Sequence, residues 1–563
     1  MKQIAEKTLS SLCLASARKY KDRLAFAMLR GGKICKCVTY AQMGNRARQI
    51  GRLLRQLGVE KGGRVLILCE NCPEWPLAYF GISFAGAVSV PMLTGFSGEQ
   101  VQHIALHSGV CAICLSRAMA EKFEMRKTSP EFSQIPGEKL HFSLLEEVPL
   151  IYIDSISDNE DNSSVTVSIN GIEKRLPLRV GEEDTDHPQC NPDDLATIIY
   201  TSGTQGNSKG VMLSGANIIS CAYSSLSFVK IFPRDRLLSV LPLAHSYECS
   251  LGLLAPVISG ASITYLDRPP SPSVLLPAAR VVRPTAMITV PIFIEKMYRN
   301  AIAPKLRDNR LYRCPLTRPI AIRLAGRKLN RALGGCIRFF GVGGAPLSSE
   351  VENFLHRAKF PYSTGYGLTE TAPLVAGNTP LRFPVHSAGT SPNGVTVRIA
   401  KCAANAVFGE GEIQVRGPNV MMGYYNDRER TAEAFTNDGW LRTGDLGRLD
   451  NKGRLYIMGR LKALILGPAG ENIYPEEIEA LLGSSQLVED ALVYSGEKGE
   501  LVALVRLSDA AKAAAGAVEH ALAELHSWAN KKLADFSRLS RIEERREPFE
   551  KTPTMKIKRY MYV

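Results

Sequence analysis

Short apolar runs rich in β-branched and aromatic residues recur along this chain, and each ends in glycine, proline or hydroxyl residues. Residues 195–200 (LATIIY) run into TSGTQGNSKG, and residues 337–340 (IRFF) run into GVGGAP. Bounded runs of this length predict buried strands that stop at loops. After the second turn, Ser349 and Glu352 stand at capping-box spacing and predict a helix start. The segment 362–371 (YSTGYGLTET) follows. Two glycine-rich strand-to-loop turns separated by one helix predict an α/β fold, with a nucleotide site at the carboxyl edge of a doubly wound sheet.

The pattern changes near the C-terminus. Pro475 suits the first position of a helix. Residues 492–494 and 501–507 read as strands, and Val518, Leu522, Leu525, Ala529 and Leu533 form a helical stripe. A small α+β domain is expected there. Residues 75–97 carry no charge and are long enough to cross a bilayer. Pro76, Gly81, Gly86 and Pro91 interrupt them, so they read as helix, turn and buried strand.

Composition adds limits. With 563 residues the chain exceeds one core and predicts several domains. Hydrophobic residues at 45% and charged residues at 22% exclude a disordered chain. Thirteen cysteines, an odd and scattered set, point to a reducing compartment. Cys69–Cys72 and Cys111–Cys114 have CxxC spacing but lack a glycine-rich knuckle, and they read as core. The formal charge is +14. Residues 305–331 hold nine basic residues and one acid, Asp308, with Arg323, Arg327 and Arg331 on one helix face. Such a face suits anionic lipid, an acidic carrier protein, nucleic acid or plain solvent. No nucleic-acid-binding motif accompanies it, and no nucleic acid partner is expected.

The chemistry concentrates in four segments. Thr201, Ser202 and Thr204 offer hydroxyls to phosphate oxygens. Gly203, Gly206 and Gly210 let backbone N–H groups approach, and Lys209 adds a cation. Ser208 and Gly210 exclude a Walker A loop. Tyr366 offers a flat face to a purine, Thr369 a hydroxyl, and Glu370 a hard oxygen for Mg²⁺. Asp445 suits a ribose diol. The fourth segment, 552–559 (TPTMKIKR), is a basic tail.

Taken together, YTSGTQGNSKGV, GVGGAPLS, YGLTET, GWLRTGDLG, GRLKALIL, GENIYPEEIE and PTMKIKR resemble the adenylate-forming superfamily in order and spacing. LPLAHSYE, VPIFIEK and GPAGENIYPEEIE look most like bacterial long-chain fatty acid–CoA ligases. The resemblance implies a large multi-layer α/β domain of acyl-CoA synthetase type, 1–460, and a mobile α+β domain, 461–563. It implies a cytoplasmic ligase, associated with the membrane's cytoplasmic face, that turns a medium- to long-chain fatty acid, ATP and CoA into acyl-CoA, AMP and pyrophosphate. It further implies that Thr201, Ser202, Gly203, Thr204 and Lys209 clamp phosphates. Gly344, Ala345, Pro346, Tyr366 and Gly367 frame adenine, and Asp445 and Arg460 hold ribose. Glu370 binds Mg²⁺ beside Thr369, and Lys556 bridges carboxylate and phosphate. Lys462 is the hinge, Gly467, Gly470, Glu471 and Asn472 border the pantetheine path, and His245 borders the acyl pocket. Gln205, Ser208, Ile292 and Met555 depart from common family residues. Two alternatives stand: transfer to a carrier protein's phosphopantetheine, and a non-catalytic acyl or nucleotide sensor, whose expected loss of Lys556 or Glu370 is not seen.

Overall fold

The computed structural model describes residues 7–124, 147–156, 163–178, 188–201, 209–401, 409–466, 472–496, 500–512, 517–552 and 557–562. Two large sheets dominate. The first has eight strands, in the order Leu374–Gly377, Tyr362–Gly367, Phe339–Val342, Ala286–Thr289, Arg236–Leu238, Ser262–Leu266, Leu24–Arg30, Lys33–Thr39. Its six inner strands run parallel and its two edges antiparallel. The second has nine strands, with a parallel centre from Leu195–Thr201 through Val88–Pro91, Arg64–Leu68 and Val110–Leu115 to Leu150–Tyr152.

Alternation builds the layers. In the strand Arg64–Leu68, Val65 and Ile67 enter the core shared with the first sheet, while Leu66 and Leu68 face a second cluster under helix Gly98–Ser108. The shared core is filled by helices Leu9–Tyr20, Tyr40–Gln56 and Glu74–Phe84. The last of these is buried on nearly every face, which only a helix between layers can be. It meets Tyr40–Gln56 closely enough that a Cβ on Gly81 would lie 2.6 Å from the Ile50 side chain. The uncharged stretch 75–97 is therefore interior helix and strand. No described helix is long and apolar enough to cross a membrane. Helices Pro272–Val282, Arg318–Ala332 and Ser349–Arg357 cover the outer face of the first sheet.

A four-stranded antiparallel sheet follows, Thr396–Ala400, Glu410–Arg416, Leu441–Leu449 and Leu455–Arg460. The C-terminal region has its own core around Ile478, Leu482, Val493, Val505 and Leu525. There Val488–Ser495 and Leu501–Leu507 form a hairpin, Arg541–Glu544 pairs parallel with the latter, and helices Pro475–Gly483 and Ala517–Asn530 pack on them. The fold is α/β with a large N-terminal and a smaller C-terminal part, as expected.

Some local expectations shift. Strand 337–340 begins two residues later, at Phe339. Residues 362–367 form a strand, because Gly365 and Tyr366 pair with Gly377 and Ala376. The helix Ser349–Arg357 has Ser348 at its N-cap and no side-chain cap bond. Glu352 turns inward instead: its carboxylate accepts from the Tyr362 hydroxyl at 3.3 Å and the His386 backbone N–H at 2.9 Å. Leu533 lies beyond the end of helix Ala517–Asn530, half-buried against the same core.

Candidate active site

Among the described residues, two groups of the predicted side chains are held together, and the Glu370 carboxylate of one acts on the Arg460 guanidinium of the other. Tyr366 stands near the end of its strand in the first sheet, and Asp445 and Arg460 are directly opposed on neighbouring strands of the antiparallel sheet. The Tyr366 hydroxyl donates to Asp445 Oδ2 at 2.6 Å, and Arg460 Nε donates to Asp445 Oδ1 at 2.7 Å. Asp445 is buried, and its backbone N–H donates to Thr443 Oγ1 at 3.1 Å. A carboxylate oxygen can accept more than once, which suits this side chain to a diol. Burial and the adjacent Asp445 carboxylate push the Tyr366 hydroxyl well above its ordinary pKa. It therefore remains a donor.

The second constellation joins the two large sheets. Lys209 opens the strand Lys209–Ser214 and pairs with Thr201 across the start of the hydroxyl-rich loop. The Lys209 ammonium lies 4.9 Å from the Tyr424 ring centre. The Tyr424 hydroxyl donates to Glu370 Oε1 at 2.9 Å. Burial, followed by the Glu370 carboxylate, raises the Tyr424 hydroxyl. Glu370 is fixed from behind as well, since its carbonyl accepts from the Met421 N–H at 2.9 Å. Asn419 holds the carbonyls of Thr371 and Leu374 at 2.9 and 2.8 Å. Glu370 thus presents a half-buried carboxylate with no described cation bonded to it. Mg²⁺ needs one or two carboxylates plus phosphate oxygens rather than a protein cage. This donor set fits that need, although no cluster of three metal-binding side chains occurs among the described residues.

Gly344, Ala345 and Pro346 form an exposed turn after the strand Phe339–Val342. Gly344 has φ +85°, a left-handed conformation that favours glycine. A Cβ on Gly343 would lie 3.2 Å from the Tyr247 ring. That packing brings the segment of His245 beside the turn. His245 is half-buried, and its Nδ1 accepts from the Tyr247 N–H at 3.2 Å. Gly367 ends its strand, and Thr369 follows in the short 3₁₀ turn Thr369–Thr371. Lys462 lies in the turn Leu461–Ala463, directly after Arg460, and Asn472 in the strand Asn472–Ile473. Ser202, Gly203, Thr204, Gly206, Gly467, Gly470, Glu471 and Lys556 lie outside the described residues. Cys69 and Cys72 are buried with their sulfurs 3.6 Å apart, and they extend the core.

Three features escaped sequence reasoning. Tyr424, the partner of Glu370, carries no motif signal. Asn71 reaches across to Leu241 O at 2.6 Å and the Leu243 N–H at 2.9 Å, orienting the His245 segment. Glu248 is fully buried, and burial pushes its carboxyl up to about 8. Its Oε1 accepts from Ser239 Oγ at 2.5 Å, while Oε2 has no hydrogen-bond partner among the described residues. Gly252, one turn on, leaves room for that carboxyl, because a Cβ there would lie 2.6 Å from its Cδ. A lone acid before the uncharged run 249–266 was the available signal.

A family model described as "AMP-binding enzyme" matches residues 13–425. The chain is 30% identical over 499 residues to long chain acyl-CoA synthetase 6, peroxisomal, of Arabidopsis thaliana, covering 84% of this chain and 68% of that protein. It is 30% identical over 496 residues to long-chain-fatty-acid–CoA ligase FadD15 of Mycobacterium bovis, covering 84% and 77%. Among solved structures, ATP-bound MatB from Rhodopseudomonas palustris superposes with a TM-score of 0.73 at 22% identity, over 98% of both chains, and shares the fold. The chain belongs to the AMP-binding enzyme family, the adenylate-forming ligases.

Proposed function

We propose that this ligase activates medium- to long-chain fatty acids to acyl-CoA in the cytoplasm. In the first step a carboxylate oxygen attacks the α-phosphorus of ATP, the bond to the β-phosphate oxygen breaks, and pyrophosphate leaves. In the second, the CoA thiol attacks the acyl carbonyl, loses its proton, and AMP departs. The acid needs no general base, since it is ionised at neutral pH. Positioning and charge stabilisation supply the catalysis.

The observation that carries this reading is the pair of constellations Tyr366–Asp445–Arg460 and Lys209–Tyr424–Glu370, with the Glu370 carboxylate close enough to act on the Arg460 guanidinium. In our assignment Asp445 and Arg460 hold the ribose, and Tyr366, Gly367, Gly344, Ala345 and Pro346 frame the adenine. Thr201, Ser202, Gly203, Thr204 and Lys209 take the β- and γ-phosphates, and Thr369 takes the α-phosphate. Glu370 would hold Mg²⁺, which neutralises phosphate charge when bound. From its sequence motif, Lys556 is assigned to the meeting point of carboxylate and α-phosphate. We place the domain boundary between 460 and 461, the hinge at Lys462, and the pantetheine path along Gly467, Gly470, Glu471 and Asn472. His245 borders the acyl chain. The test is AMP formation with a panel of fatty acids, each supplied with CoA or with a phosphopantetheine carrier protein. Palmitate with CoA is expected to give the fastest turnover, well ahead of acetate. Faster turnover of acetate, or transfer to the carrier alone, rejects the assignment.

A further inference from the structure

The reaction leaves the basic stretch 305–331 without a role. In the structure it forms the helices Ala303–Arg307, Arg310–Arg313 and Arg318–Ala332. The long helix turns Ala321, Ile322, Gly326 and Leu329 toward the core. Gly326 sits so close that a Cβ on it would lie 2.8 Å from the Ala358 Cβ. This contact fixes which face looks outward. On the outer face Ile320 and Leu324 are 55% and 41% exposed, one turn apart. Leu316 in the preceding turn is 88% exposed and Leu311 is 44% exposed. Exposed large aliphatics grouped in this way need an explanation, whereas scattered ones do not. Arg323, Arg327, Lys328 and Arg331 are exposed on the same helix, and none of the four forms an ion pair among the described residues. Nearby, Arg313 and Arg318 donate to the carbonyls of Arg307 and Tyr312, so these guanidinium groups too are not neutralised by acids there.

We propose that this helical surface docks on an anionic lipid bilayer. Leu311, Leu316, Ile320 and Leu324 would enter the acyl layer, and the surrounding arginines would lie at phosphate level. Charge complementarity and the protruding aliphatics select this occupant together. A nucleic acid satisfies the cations but leaves four aliphatic side chains against phosphate and water. A folded acidic protein needs a groove shaped to Leu316, whereas a bilayer accepts it in any register. None of its residues is among those assigned to catalysis, so the inference does not depend on the reaction.

The test is co-sedimentation of the whole chain with vesicles of phosphatidylcholine containing phosphatidylglycerol, against pure phosphatidylcholine. Binding is expected to the anionic vesicles and to weaken as salt rises. Each of Arg323→Gln and Arg327→Gln is expected to weaken it about fivefold. Leu316→Ser/Ile320→Ser/Leu324→Ser is expected to weaken it by at least about tenfold. Octanoate-dependent AMP formation without vesicles reports folding and is expected to stay at the wild-type level in every variant. The proposal is overturned if the wild type stays in solution at low salt. It is also overturned if the variants bind as the wild type does, or if the substitutions abolish binding to DNA or an acidic carrier protein and leave vesicle binding intact. A wild type that binds vesicles but activates no fatty acid rejects the enzymatic reading and leaves this one standing.

Discussion

Replacing Asp445 by asparagine isolates the charge at the proposed ribose site while keeping its shape. The carboxylate accepts from Arg460 Nε at 2.7 Å and from the Tyr366 hydroxyl at 2.6 Å. Arginine cannot accept a hydrogen bond, so the amide oxygen must face Arg460. The amide NH₂ then faces Tyr366, whose hydroxyl can rotate to accept. Both contacts survive as hydrogen bonds: the one to Tyr366 becomes neutral, the one to Arg460 keeps only the guanidinium charge, and one acceptor offered to the ribose becomes a donor. A hydrogen bond to a charged group contributes about 1.5–3 kcal/mol against about 0.5–1.5 for a neutral one, a difference of roughly 1 kcal/mol per bond. Over the two hydroxyls of the ribose diol the expected loss of ATP binding is therefore roughly 1–3 kcal/mol. That corresponds to a rise in KM for ATP of about 5- to 150-fold. The ribose is remote from the bonds that change, so kcat at saturating ATP should fall little. The assay is fatty-acid-dependent ATP–pyrophosphate exchange, with ATP varied. With 2′-deoxy-ATP the wild type should lose affinity, and the variant should lose little more, because the deleted hydroxyl and the deleted charge are coupled. An unchanged KM, or fully additive losses from the two deletions, refutes the ribose assignment.

Lys556→Ala is expected to block acyl-adenylate formation while sparing thioester formation from supplied acyl-adenylate, because only the first step brings two anions together. Undiminished adenylation would refute its role. Lys462→Pro should retain pyrophosphate exchange but lose most CoA-dependent thioester formation, since proline fixes φ at the proposed hinge; acyl-CoA made at the wild-type rate places the hinge elsewhere. Gly367→Ala would bring a Cβ to 1.8 Å from the Pro373 carbonyl oxygen, and thermal melting should show a loss of about 1–3 kcal/mol or more from overpacking against backbone. Glu248 has its carboxyl raised by burial to about 8. The folded state therefore holds a proton that the unfolded state releases above about 4.5, and stability falls as pH rises through that window to about 8. Glu248→Gln should flatten the fall in Tm between these pH values, and an unchanged slope refutes the burial argument.

The layered α/β plan was legible because its strands and helices obey local rules. The run 195–200 is a strand since its residues are apolar and β-branched, and Pro475 opens its helix as its fixed φ allows. The apparent capping box at Ser349 misled, because Glu352 found stronger partners in Tyr362 and His386 than in the helix N-terminus. Segment 362–367 reads as a loop by its glycines, yet pairing with Leu374–Gly377 makes it a strand. Spacing cannot report such pairing between segments. The same limit hid Tyr424, whose bond to Glu370 spans 54 positions, and Asn71, whose contacts reach 172 positions away. The motif residues were readable, whereas their supporting contacts required the fold.

The central claim is that a fatty carboxylate attacks the α-phosphorus of ATP. It is tested most directly by incubating palmitate labelled with ¹⁸O in its carboxylate with ATP, Mg²⁺ and CoA, then weighing the products by mass spectrometry. The account predicts palmitoyl-CoA, AMP and pyrophosphate in equal amounts, with one ¹⁸O transferred to the phosphate of AMP. Products of ADP and orthophosphate, or AMP free of the label, would contradict it.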